Sequence, residues 1–453
     1  MRALHRDPDQ RYQTIEQLRS DLGRYLAAQG SKWSHLELAA SSNGISRRAI
    51  VGLASTALIA ASLGLWYYQT TRRPKQDPTE PDRPSPGDRT TRRVTPTPSQ
   101  TGQYFGRAVA VVGNLMAVSA IGHRNPDGSR GAVFVFESHD KQWRQKGVLR
   151  APRDADAGDL GWSVAVSEET IVVGARRTRN GRGVVFCFAK ERGQWRHSQR
   201  LPPPNPEEAP NALFGESVAI QDDIVVVGCP RTKTPTKLSG SVYVFMRATD
   251  EPWRFVTSLT PPNSQRNYFG RSVAISEDTI VVGAPQDQGK GVGAAHVYRR
   301  DGDGWRHEES LRPTSTRVGG YLGGSVAISG DRIVVGEAGG TEPGAAYVFE
   351  KSEATGRWAE TCCLGGRTGT VDGFGCSVAV ARDRILVGAY KERNETGGAY
   401  VFVAEGPAWK KRSVAPSRVT PGSHFGFCVA AGPDLLITAP QLEESSGRVY
   451  LYD

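Results

Sequence analysis

The sequence predicts an all-β fold, a seven-bladed β-propeller closed by its own N-terminal strand and preceded by a short helical segment, one transmembrane helix and a Pro-rich linker. Three observations predict it. A Phe-Gly or Leu-Gly pair recurs seven times, at Phe105, Leu160, Phe214, Phe269, Leu322, Phe374 and Phe425, with successive glycines 55, 54, 55, 53, 52 and 51 residues apart. Self-similarity at a period near 50 residues signals stacked or radial units. Each period holds four short apolar or alternating runs separated by turn residues, and six periods carry a tryptophan at the start of the fourth run: Trp143, Trp195, Trp253, Trp305, Trp358 and Trp409.

The repeat beginning at Phe269 shows the pattern. FGRSVAIS (269–276) alternates and reads as a strand, and Glu277-Asp278 reads as a tight turn. TIVVGAP (279–285) is apolar on both faces, as a strand buried on both sides must be. GAAHVYR (293–299) is the third strand, and the fourth opens at Trp305 and ends near Leu311. Four antiparallel strands per unit define a propeller blade. The recurrent glycines mark places where neighbouring blades approach too closely for a Cβ. The last repeat ends at Asp453 after its third run, so TRRVTPTP (91–98) is expected to supply the missing fourth strand and remove the exposed edge.

The composition is consistent with this. The 453 residues include 52 glycines and 28 prolines, which suits many short strands joined by turns. The net charge of +10 points to an anionic surface or polymer. No Lys/Arg run is interleaved with aromatics as in a nucleic-acid groove, so nucleic acid is not expected as a partner. The six cysteines, Cys187, Cys229, Cys362, Cys363, Cys376 and Cys428, form no CxxC pair and are read as buried small apolar fillers.

The chain ahead of the repeats divides further. Residues 1–30 read as helical, with Ile15, Leu18, Leu22, Tyr25 and Leu26 at helical spacing; 31–48 is juxtamembrane. Residues 49–68 (AIVGLASTALIAASLGLWYY) carry no charge over 20 residues and are long enough to cross a bilayer. Arg47 and Arg48 precede them and Trp66, Tyr67 and Tyr68 end them; Ser46-Arg47-Arg48 before an apolar run also fits a cleaved twin-arginine signal. Residues 69–90 form a Pro/Arg-rich linker, and 91–453 the propeller.

Two resemblances follow from these residues. Asp7, Pro8, Arg11 and Tyr12 resemble the DPxxRY motif near the C-terminal end of bacterial Ser/Thr protein kinase domains, although the Gly-rich loop, the β3 lysine and DFG are absent. The resemblance implies a kinase remnant and hence a cytoplasmic N-terminus, with the propeller periplasmic or extracellular. FGRSVAI…IVVGAP, LFGESVAI…VVVGCP and HFGFCVAA…LITAP resemble the FG-GAP repeats of integrin α-chain heads and many bacterial surface proteins. That resemblance implies a propeller that binds a partner through the face holding the loops into strand one and between strands two and three. The family's calcium loops are not expected here: hairpins such as SEDT, SGDR and ARDR are too short to wrap the ion, so no metal and no cofactor is expected.

On the expected loop face, repeats one to three supply Arg124 and Arg130; Arg176, Arg177, Arg179 and Arg182; and Arg231, Lys233 and Lys237. They are read as a basic sector for an anionic polysaccharide or an acidic protein surface. Repeats five and seven place Glu337, Glu342, Glu443 and Glu444 in the matching loops, and repeat six is mixed, with Lys391, Glu392, Arg393 and Glu395. No HExxH or strand-borne GxSxG element is present, and Ser325 belongs to the repeat together with Ser163, Ser217, Ser272 and Ser377, so no catalytic residues are expected. The expected function is a membrane-anchored recognition module, the sensor arm of a truncated receptor-type kinase. A structural or adhesive surface protein is the alternative, and a propeller enzyme ranks below both.

Overall fold

The structure is a computed structural model, and the unit described is Pro84–Asp453. It describes residues 92–452 except 154, 156, 179–180, 206–210, 233–238, 263–266, 288–291, 303, 315–318, 341–342, 366–371, 382, 407, 415–421, 433–435 and 440–446. The expected helix over 1–30, the span over 49–68 and the linker over 69–90 lie outside the described residues.

The strand β1 (Arg92–Val94) comes first, followed by six contiguous four-stranded sheets. The first sheet holds β2 (Phe105–Val112), β3 (Leu115–Arg124), β4 (Arg130–His139) and β5 (Gln142–Leu149). The second holds β6 (Leu160–Val166), β7 (Thr170–Ala175), β8 (Val184–Glu191) and β9 (Gln194–Leu201), and the third β10 (Ser217–Gln221), β11 (Ile224–Cys229), β12 (Ser241–Met246) and β13 (Arg254–Leu259). The fourth holds β14 (Ser272–Ser276), β15 (Thr279–Ala284), β16 (Ala294–Asp301) and β17 (Gly304–Leu311), and the fifth β18 (Ser325–Ser329), β19 (Arg332–Glu337), β20 (Ala345–Lys351) and β21 (Trp358–Gly365). The sixth holds β22 (Phe374–Ala381), β23 (Arg384–Ala389), β24 (Gly398–Glu405) and β25 (Ala408–Val414), with a one-turn helix α1 (Glu392–Glu395) between β23 and β24. A further sheet joins β26 (Cys428–Ala431), β27 (Leu436–Ala439) and β28 (Val449–Tyr452) to β1, with Val94 opposite Val449.

All strand pairs within these sheets are antiparallel, and the first strands of successive sheets lie side by side in a circuit, β2, β6, β10, β14, β18, β22, β26 and back to β2. The core sits between neighbouring sheets. Ala117, Val133 and Val135 of the first sheet meet Leu160, Ile171, Val173 and Phe186 of the second, and Phe105 and Met116 meet Val449 and Leu451 of the composite sheet. This is why the second strands are fully buried: each packs on a neighbour through both faces. The marker rings Phe105, Phe214, Phe269, Phe374 and Phe425 are completely buried, each contributing about 1.5–3 kcal/mol relative to exposure.

The recurrent glycines and serines join the sheets. A Cβ on Gly228 at the end of β11 would stand 2.1 Å from the Gly270 carbonyl oxygen of the next sheet and 2.3 Å from Ser217 Oγ. The Ser217 hydroxyl donates to that same carbonyl at 2.9 Å, and Ser163, Ser272 and Ser325 do the same to Gly215, Gly323 and Gly375. The close packing thus brings a donor and an otherwise stranded carbonyl together. At Gly447, whose φ of 77° a side chain rarely adopts, a Cβ would stand 2.0 Å from the Phe105 carbonyl oxygen, so the composite sheet abuts the first by the same device.

The expected architecture is corrected in three respects. A seven-bladed propeller of equivalent units is replaced by six contiguous repeats plus a composite sheet of short strands, four residues each in β26, β27 and β28 and three in β1. In that last repeat Ala439 stands opposite Cys428, where Gly228 and Gly283 stand opposite Ser217 and Ser272 in theirs. The helical part of the expected fold finds no counterpart: α1 is the one helix among the described residues, and none there is long and apolar enough to cross a membrane. The expected strand at 269–276 begins only at Ser272, because Tyr268 and Gly270 both take positive φ in the turn that precedes it.

The cysteine reading also changes. Cys187 and Cys229 are buried fillers, with the Cys187 thiol pushed up to about 12 chiefly by desolvation, whereas Cys363 on the outer strand β21 is exposed.

Candidate functional site

The loop face is built by backbone hydrogen bonds. In each contiguous sheet an N–H at the end of the second strand or in the loop after it donates to a carbonyl of the loop entering the first strand. These bonds are Gly122 to Gln103, Arg177 to Gly158, Arg231 to Ala212, Gln286 to Asn267, Gly339 to Gly320 and Lys391 to Asp372. The two loops of every repeat therefore lie together at one end of their sheet.

The basic residues expected on this face divide into two kinds. Arg124 and Arg130 are exposed and face each other across the β3–β4 hairpin, where Gln100 fixes the Arg124 backbone through both N–H and carbonyl. Arg177 is exposed, 3.7 Å from Asp159, and Arg231 is exposed near the Tyr268 ring. Arg176 is different: its guanidinium lies 3.0 Å from the Trp162 ring centroid, pairs with Glu216 at 3.0 Å and lies 3.5 Å from Asp159. It is committed to the protein rather than offered to a ligand. Arg182 is half-buried, and its carbonyl accepts the Phe214 N–H. Arg179, Lys233 and Lys237 lie outside the described residues.

The carboxylates of the matching loops divide as well, with Glu395 exposed and two others buried. Glu337 is buried and accepts the Tyr347 hydroxyl at 2.7 Å, and Glu392 is buried and accepts the Tyr400 hydroxyl at 2.5 Å. His123, near the end of β3, is buried against Gln103 at 3.1 Å and edge-on to Phe134. Burial pushes its imidazole below the ordinary value, with Arg150 adding to the effect. These loops are thus pinned by buried acids while the exposed cations of the first three repeats remain at the surface.

A second cluster went unnoticed in the sequence. The residues directly after the repeat glycines in five successive sheets are Phe427, Arg107, Trp162, Glu216 and Arg271, at the start of the inner strands or just before them. The Arg107 guanidinium lies 3.8 Å from the Trp162 ring centroid and 5.1 Å from that of Phe427. Glu216, itself buried, accepts Arg176 on one oxygen and Arg271 on the other, at 3.0 and 2.9 Å. Burial pushes the Arg107 guanidinium down to about 10; the Arg271 and Arg176 charges push the same way and Cys428 and Glu216 against it. The signal was present: this is the column that varies (Arg107, Trp162, Glu216, Arg271, Gly324, Cys376, Phe427) inside an otherwise uniform repeat.

Among the described residues no group of three or more His, Cys, Asp or Glu side chains is arranged to hold a metal ion. A polar group buried in the fourth sheet joins His296 to Ser310 through Nδ1 at 2.9 Å, with Asp287 3.8 Å from Nε2 and Arg312 paired to Asp287. It lies inside the sheet, where His296 and Asp287 are closed to solvent.

Radially packed antiparallel sheets whose long loops gather at one end define a β-propeller of the recognition or adhesion type. The chain belongs to the FG-GAP repeat family, which matches residues 89–136, 143–188, 195–245, 253–298, 305–349 and 368–402, together more than half of the chain. The sequence count of seven repeats is thereby corrected to six for the family signature. Each of the first five matched segments starts on or just before the outer strand of one sheet and runs through three strands of the next, so the family unit straddles two sheets. The stretch from Trp409 to Tyr452 is unmatched, and there Cys428 and Ala439 stand in place of the interlocking serine and glycine. The family is typically non-enzymatic. The matched segments do not reach the kinase-like stretch 1–30. No curated protein matches the chain.

Proposed function

We propose that the chain is a membrane-anchored recognition module whose loop face binds an acidic polysaccharide outside the cytoplasm. The observation that carries this reading is the sorting of charge on that face. Arg124, Arg130, Arg177 and Arg231 are exposed there, whereas Glu337 and Glu392 of the equivalent loops are buried and bonded to tyrosines. Exposed cations gathered on one face attract a polyanion over several residues at once and hold it in a salt-dependent way. Membrane anchoring rests on the uncharged stretch 49–68, and a former link to a receptor-type kinase rests on Asp7, Pro8, Arg11 and Tyr12.

The test is retention of the full chain on immobilised polygalacturonate at low salt, against a neutral polysaccharide. The wild type should be retained on the acidic polymer and elute earlier as salt rises. Changing Arg124, Arg130, Arg177 and Arg231 together to Gln should abolish that retention. Equal passage of wild type and variant through the acidic polymer would sink the reading. Retention on an acidic protein instead of the polymer would redirect it to a protein partner. Protease cleavage of the propeller in intact cells should occur from outside.

A further inference from the structure

Arg107 stands apart from every other arginine of the inner ring. Arg176 and Arg271 both pair with Glu216, one on each of its oxygens. Arg107 meets two aromatic rings and, among the described residues, no carboxylate or carbonyl oxygen within hydrogen-bond reach of its guanidinium. A guanidinium carries five N–H donors in a planar fork that matches a carboxylate, and rings on its faces leave the donor edge as the open direction. It is half-buried, and its nitrogens stay open to solvent and so to a ligand.

The surroundings direct this edge toward a ligand. Arg107 sits on β2, one of the inner strands that run in a circuit, at the same repeat position as Glu216 and Arg271. Three arginines and one glutamate give the cluster an excess of positive charge, with Asp159 set behind Arg176. The equivalent positions in the fifth and sixth sheets are the small residues Gly324 and Cys376. Trp162 holds Arg107 on one side and Arg176 on the other, so the arginine is oriented before any ligand arrives.

We propose that the inner end of the loop face is an anion site centred on Arg107, taking the carboxylate of one uronate residue of the polysaccharide, with Arg271 as the second cation. This rests on the loop-face reading above but adds a residue and a position that the exposed rim does not use. Arg107 would form the bidentate pair, and Arg271, half-exposed and joined to Glu216 through one nitrogen, would offer a further donor.

The test is calorimetric titration of the full chain with trigalacturonate, with maltotriose as the uncharged control. The wild type should bind trigalacturonate and ignore maltotriose. Arg107→Gln should weaken trigalacturonate binding by about 10-fold or more, the usual loss on removing a charged hydrogen-bond partner. Arg107→Lys keeps the charge but loses the fork, and should also bind more weakly than wild type. If Arg107→Gln fails to fold, Arg271→Gln replaces it, with a several-fold loss expected. Affinity unchanged in a folded Arg107→Gln or Arg271→Gln chain, or no binding by the wild type, would overturn the proposal. Polymer retention that survives Arg107→Gln but is lost on removing the four exposed arginines would leave the face reading standing and remove the inner site. Trigalacturonate binding that depends on Arg107, without polymer retention, would do the reverse.

Discussion

Replacing Gly228 by Ala tests whether the repeat's glycine is there to let two sheets touch. The added Cβ would stand 2.1 Å from the Gly270 carbonyl oxygen and 2.3 Å from Ser217 Oγ. Ordinary carbon–oxygen contacts need about 3.2 Å or more, so roughly 1 Å of overlap must be relieved on the backbone of the neighbouring sheet. Backbone cannot swing away as a long side chain can. The sheets must separate, and separation also lengthens the hydrogen bond from the Ser217 hydroxyl to the Gly270 carbonyl. Overpacking of this kind costs about 1–3 kcal/mol, and loss of the hydrogen bond adds about 1 kcal/mol. The expected destabilisation is therefore about 2–4 kcal/mol. The matched control is Gly147→Ala on the outer strand β5, where an added Cβ meets nothing within 4 Å and the change should stay within about 0.5 kcal/mol. Urea unfolding followed by tryptophan fluorescence measures both, provided the transition stays single. A Gly228→Ala chain as stable as the Gly147→Ala chain would refute the argument that close sheet contact, rather than turn formation, fixes this glycine.

Four further outcomes are expected. Ser217→Ala should cost about 1 kcal/mol by leaving the Gly270 carbonyl without its side-chain donor, read from the same urea midpoints. Stability should fall on acidification through His296: burial, partly offset by Asp287, holds its folded value down to about 4, below the ordinary 6.5 of the unfolded chain. The unfolded chain therefore takes up the proton first. The His296 contribution is complete above about pH 6.5 and is lost toward pH 4, amounting to about 3 kcal/mol. His296→Tyr, the residue found at the equivalent Tyr243, Tyr347 and Tyr400, should flatten that slope in a pH series of urea midpoints. Tyr347→Phe should destabilise by about 1.5–3 kcal/mol because it removes the donor to the buried Glu337 carboxylate. In the native chain a thiol reagent should modify Cys363 quickly and leave Cys187 untouched until unfolding, as mass spectrometry of the labelled peptides would show.

Much of the fold was legible because its determinants are local and recur. The alternation in VAIS-type runs, the fully apolar TIVVGA strands and the tryptophan opening the fourth strand each report burial along one strand, and a period near 50 residues adds them up. The loop face was legible as far as Arg124, Arg130, Arg177 and Arg231, because short hairpins leave their polar ends outside. What failed was the assumption that residues at equivalent loop positions share an environment. Arg176, Glu337 and Glu392 have charged side chains in loops, yet each is drawn inward by a partner supplied from elsewhere: Glu216 from the next sheet, Tyr347 and Tyr400 from the following strand. Glu216 lies 40 positions from Arg176, and Tyr347 and Tyr400, 10 and 8 positions from their glutamates, reach them only because a loop folds back onto the next strand.

The sequence by itself determined the sheets, their order of strands and the glycines that mark them, because hydrophobic period and turn chemistry act over a few residues. Only the tertiary structure decided which charges face solvent. The same is true of the Phe427, Arg107 and Trp162 contacts and of the unpaired guanidinium edge at Arg107. These residues are roughly 55 to 320 positions apart in the chain and meet only because curved packing brings the inner strands of the first and last sheets side by side.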